Sequence, residues 1–144
     1  MSERTLLVSY FAMAGLVGGL GATIVLWRFV GPEHSGVVLG FSQSWFWFAF
    51  PVVGAALSAF WARLLGERGF GLLRGALASF LAFLSFCAIL SLAGAGPVAF
   101  FAFSFFGFVL VGWALVLLGA VTGWLYRRQI TAKHSNPRFE ADAP

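Results

Sequence analysis

The sequence predicts an all-α membrane protein, built as four transmembrane helices in a compact bundle with both termini in the cytoplasm. Three observations predict it. Of the 144 residues, 60% are hydrophobic and only 10% charged, against about 25% charged in an ordinary soluble domain. A soluble fold this small exposes too much of its surface to hide so much apolar area. Charged residues also divide the chain into apolar runs of membrane-crossing length. Finally, alternate threading of those runs gathers eight of the nine lysines and arginines on one side of the bilayer.

The first run, Thr5 to Trp27, carries no charge and stops at Arg28. A signal-peptide core is about 7–15 residues long, shorter than this run, so the expectation is a retained helix. Trp45 to Ala62 forms the second run, closed by Arg63. A short charged turn with three glycines, Arg63 to Arg74, leads into Gly75–Tyr126, which has no charged side chain. As one helix that last run would reach about 78 Å, far beyond a ~30 Å hydrocarbon core. It must fold back, and its turn signal is Gly94-Ala95-Gly96-Pro97. The expected spans are about 5–28, 45–64, 73–94 and 98–125 within a transmembrane domain of residues 1–126. Residues 127–144 form a short tail, basic and then mixed in charge, whose last part is expected to be disordered.

Orientation follows from the Lys/Arg bias. Arg4, Arg63, Arg68, Arg74, Arg127, Arg128, Lys133 and Arg138 share one side, and Arg28 stands alone on the other. This places both termini inside. Arg63, Arg68, Arg74, Arg127 and Arg128 are the candidate anchors to anionic headgroups, each worth about 1 kcal/mol. Arginine outnumbers lysine, and Gly and Ala are frequent. That composition suggests a GC-rich bacterial genome and hence the inner membrane.

Trp45 to Phe50 holds five aromatic residues in six positions. Indole and phenol rings favour the membrane–water boundary, where an apolar body and a polar N–H or O–H are both satisfied. Trp27, Trp45 and Trp47 fall at the outer boundary, and Trp61, Trp124 and Tyr126 at the inner one. A boundary belt is therefore the reading, ahead of a ring-binding site. Phe100 to Phe108 is a second aromatic cluster. At about 100° per residue its rings surround the helix and face lipid or a partner.

Helices in lipid associate where small residues let backbones approach. Each span offers such a face. Span one has Gly15, Gly18, Gly19 and Ala22; span two has Gly54 and Ser58, with Ala55 and Ala62. In span three the face is Gly75, Ser79 and Ala82, with Ala78; in span four it is Gly112, Gly119 and Gly123. The expected result is a tight bundle with little room for a wide pore.

Ionisable groups inside a membrane are costly and mark function. All five acids, Glu3, Glu33, Glu67, Glu140 and Asp142, lie near or beyond span ends. Nothing at mid-depth serves as a proton or cation relay, and neither histidine, His34 nor His134, is placed to bind haem. The single cysteine, Cys87, excludes an internal disulfide and a multi-Cys metal site. Ser79, Ser85 and Ser91 point in three directions and are expected to bond back to their own helix carbonyls. Glu33 and His34 in the outer loop are the remaining catalytic candidates, and a solvated turn is the preferred reading of them.

No catalytic residue, cofactor or metal is therefore assigned, and nucleic acid is excluded as a partner because the basic residues form no polar patch. The expected partners are the lipid bilayer and other membrane subunits or a second copy. The leading expectation is a non-catalytic accessory, assembly or structural subunit of a larger membrane complex. The alternative is a small carrier or flippase for a lipid, isoprenoid, quinone or hydrophobic drug.

Overall fold

The computed structural model describes residues 2–30, 43–66, 70–92 and 96–134. Within these, side chains are described except at 26, 27, 29, 30, 43–49, 96, 97, 99 and 134. The chain is all-helical over the described residues. Helix α1 is Glu3–Val30, α2 is Gln43–Leu65 and α3 is Leu72–Leu90. Helix α4, Gly96–Gly107, continues through a π-helical turn, Phe108–Gly112, into α5, Trp113–His134. Three stretches are long and apolar enough to cross a membrane: Glu3–Val25, Leu72–Leu90 and Phe100–Lys133. The described apolar part of α2, Phe50–Leu65, is shorter than that.

Helix α1 begins at a side-chain cap. The Thr5 backbone N–H donates to Ser2 Oγ at 3.2 Å, and the Leu6 N–H to the Ser2 carbonyl at 3.1 Å, satisfying donors that a helix start leaves unpaired. Glu3 in its first turn and Arg28 in its last both oppose the helix dipole favourably. Helix α2 runs through Pro51 and stops at Gly66, whose φ of 79° is the left-handed conformation that ends many helices. Arg74 Nη1 then donates to the Leu65 carbonyl at 3.3 Å, a second cap on the α2 terminus. The candidate anchor Arg74 thus also ties α3 to the end of α2.

The helices pair as two hairpins, α1 with α2 and α3 with α5. A plug of buried side chains joins the hairpins at one end. It comprises Leu7, Phe11, Ala62, Phe70, Ala78 and Tyr126. Phe70 comes from the α2–α3 connection and meets Phe11 edge-on at 5.1 Å and Tyr126 edge-on at 6.1 Å between centroids. Such edge contacts suit the ring quadrupoles. Tyr126 Oη donates to the Glu3 carbonyl at 3.3 Å, so the start of α1 and the middle of α5 share this end.

The last helical stretch is longer than a single span requires. Phe100–Lys133 has 34 residues, about 51 Å at helical rise against a ~30 Å core. As a single span it would leave several turns beyond the hydrocarbon. The first part of the basic tail is helical as far as His134, and the rest of it lies outside the described residues.

Candidate functional site

The small-residue faces divide between the two hairpins. A side chain added at Gly15 would meet the Gly54 carbonyl, Ser58 Oγ and the Ala55 Cα. One added at Gly19 would lie 2.6 Å from the Pro51 Cα, and one at Gly54 would lie 2.9 Å from the Gly15 carbonyl. In the second hairpin Gly75 faces Gly119 and Gly123, Gly119 faces Ser79, and Gly123 faces Gly71. The obstructing atoms are mostly backbone, so these seams are closed as far as backbones allow. Gly18 turns the other way and meets the Leu115 side chain of α5. Gly112 is buried. It lies in the π turn, and its nearest atoms belong to the Phe108 ring of its own helix.

Between the hairpins the packing is open, against the expectation of a bundle tight throughout. A cavity of about 360 Å³ separates them. Its lining comes from all the helices: Gly15, Gly19 and Ala22 of α1; Phe50, Gly54 and Ser58 of α2; Ser79, Ala82, Phe83, Phe86 and Cys87 of α3; Phe103, Phe106 and Gly107 of α4; and Leu110, Val111, Leu115 and Leu118 beyond. The physical reason is a mismatch. Close backbone approach joins the helices within each hairpin, the edges of the small faces border the gap, and phenylalanines line much of the rest. Phe50 and Phe86 touch across the gap at 4.6 Å between centroids. Ala22 and Ala82, placed on packing faces by the sequence, are both buried at this cavity.

No charged residue lines the cavity. The space is partly open at the surface, where Phe106 and Leu110 are exposed, so it is a groove between the hairpins rather than a sealed void. Water is a poor filler, because a buried water needs 2–4 polar partners and the polar lining reduces to Ser58, Ser79 and Cys87.

Polar side chains behave unequally within the helices. Thr23, Thr122 and Thr131 donate to the carbonyls of Gly19, Leu118 and Arg127, one turn back. Ser85 Oγ accepts from Trp61 Nε1 at 2.9 Å, a tie between α2 and α3. Ser91 Oγ is buried with no hydrogen-bond partner among the described residues, as is Ser104 Oγ of α4.

The boundary residues also divide. Trp124 is 48% exposed, and the Arg128 guanidinium lies over its ring at 5.6 Å, a cation–π contact between two boundary residues. Tyr126 is only 2% exposed and belongs to the plug rather than to a lipid-facing belt. Trp61 is half-buried and occupied by Ser85. Arg63 and Arg127 are exposed. The side chains of Trp27, Trp45 and Trp47, the candidate anchor Arg68, and Glu33 with His34 lie outside the described residues. Phe101 and Phe105 are 73% and 67% exposed and face outward on α4, while Phe106, 64% exposed, lies at the open edge of the cavity. Phe103 of the same helix lines the cavity. Among the described residues no three His, Cys, Asp or Glu side chains gather as a metal site.

Comparison with known protein families, with curated proteins and with solved structures finds no match for this chain.

Proposed function

We propose that the chain is a non-catalytic integral membrane protein that holds an uncharged apolar chain between its two hairpins, as a small lipid or isoprenoid carrier does. In this reading all four long helical stretches span a bacterial inner membrane, with both termini in the cytoplasm. The contact between Tyr126 and the Glu3 carbonyl supports placing the two ends together. The Lys/Arg bias supports the inner side.

The cavity carries the proposal. Its walls are apolar and its volume of about 360 Å³ falls within the ~300–1,000 Å³ of small-molecule pockets. Gentle extraction followed by native mass spectrometry should show a bound lipid-sized molecule at near one per protein. Filling the space should remove it. Ala82→Phe and Ala102→Phe each place a ring in the cavity, and each should cut the retained lipid at least about fivefold at an unchanged yield of folded protein. Equal retention by wild type and both filled variants would refute chain binding at this site.

An accessory or assembly role in a larger membrane complex is the second reading. The exposed aromatic ridge of α4 favours it, since Phe101 and Phe105 present broad apolar faces outward. Size analysis of the extract separates the two: a stoichiometric protein partner supports the subunit, and a lone chain with lipid supports the carrier.

A further inference from the structure

The groove between the hairpins has a closed floor and an open side. On each long helix the buried plug lies toward the same end of the lining. Leu7 and Phe11 precede Gly15 in α1, Ala62 follows Ser58 in α2, and Tyr126 follows Leu118 in α5. These plug residues are at most 2% exposed, so the floor is sealed. The open side runs along α4. Ala102, Phe106 and Leu110 each line the groove and are also exposed at the surface. Residues four apart share a helix face, so the three form one rim about 12 Å long. The rim is fixed to α3, because the Phe108 ring meets Phe80 and Phe83, each at 6.1 Å between centroids.

What lies against the rim follows from its surroundings. It belongs to Phe100–Lys133, a stretch long and apolar enough to cross a membrane. Phe101, Phe105 and Val109 beside it are exposed. No charged residue lines the groove, so an ionised headgroup would find no counter-charge inside. An acyl tail exchanges one apolar setting for another when it enters, and leaves no polar group unpaired.

We propose that the groove takes the acyl tail of a bilayer phospholipid sideways, through the slit edged by Ala102, Phe106 and Leu110, and that the Phe106 ring sets the rate of passage. This rests on the reading of the groove as an apolar-chain site, and the test keeps the two apart. The full chain is extracted gently with its lipid and mixed with chain-deuterated phosphatidylcholine in detergent micelles. Native mass spectrometry follows replacement of the retained lipid by the heavier one.

Phe106→Ala widens the slit and should shorten the exchange half-time at least about fivefold. Phe106→Trp narrows it and should lengthen the half-time at least about threefold. The position is exposed, so both variants keep the buried packing. Phe70→Leu loosens the plug instead, and should leave the half-time within about twofold of wild type. Faster exchange in Phe70→Leu, with no change in either Phe106 variant, would move the entrance to the plugged end and overturn the slit. Wild-type rates in all three variants overturn it as well. A wild-type chain that keeps its lipid and never exchanges it for phosphatidylcholine removes the phospholipid as occupant. In each of these cases the chain site stands. If wild type retains no lipid at all, the slit and the chain site fall together.

Discussion

At the scale of single residues, the same substitution has opposite signs on one helix. Gly15 and Gly21 are both in α1. An added methyl at Gly15 meets the backbone of α2, while at Gly21 it meets nothing within 4 Å. Gly15→Ala must push two helices apart and should cost about 1–3 kcal/mol, the usual range for overpacking. Gly21→Ala removes only backbone freedom from the unfolded chain and should stabilise by about 0.5–1 kcal/mol. Thermal unfolding in one detergent compares the two. Two changes of the same sign would refute the α1–α2 seam described above. The glycine at position 15 was legible from spacing alone, because small residues three and four apart share a helix face whatever the partner. The tie from Trp61 to Ser85 was not. It depends on how α2 and α3 are aligned along their lengths, which neither segment encodes by itself.

Helices and their junctions set which faces meet. The π turn between α4 and α5 adds a residue to the helical path, and so turns α4 by about 100° relative to α5. That rotation lets Phe103 and Gly107 face the cavity while Gly119 and Gly123 face α3. Deleting Val109 should restore regular helix and turn Phe103 away from the cavity. Retained lipid should then be lost, while the α3–α5 glycine seam holds the melting temperature within a few degrees of wild type. Unaltered lipid retention in this deletion would show that the turn does not position the wall. The helical stretches were readable from hydropathy and charge. The π turn was not, because no proline or charge marks Phe108–Gly112.

For the whole molecule, the sequence disclosed the solvent before the shape. Few charges and long apolar runs point to lipid around the chain, and three stretches have the length and composition to cross a membrane. The cavity was hidden because it belongs to no single segment. It arises where two hairpins, each closed by its own small residues, meet through phenylalanines. Phe70 was equally invisible: a lone aromatic in a glycine-rich turn reads as loop, yet it is 2% exposed and joins α1 to α5 through the plug. The proposed four-span arrangement has a direct test. Reporters fused to the two ends should both report the cytoplasm, and reporters on opposite faces would remove the orientation and the anchor assignments with it.

The bond from Tyr126 to the Glu3 carbonyl sets an order of events. A ribosome releases the first hairpin long before position 126 emerges, and that hairpin already has its complete glycine seam. The base of the fold, by contrast, waits for nearly the entire polypeptide. Until then the first hairpin lacks the contact that fixes its base against the last helix.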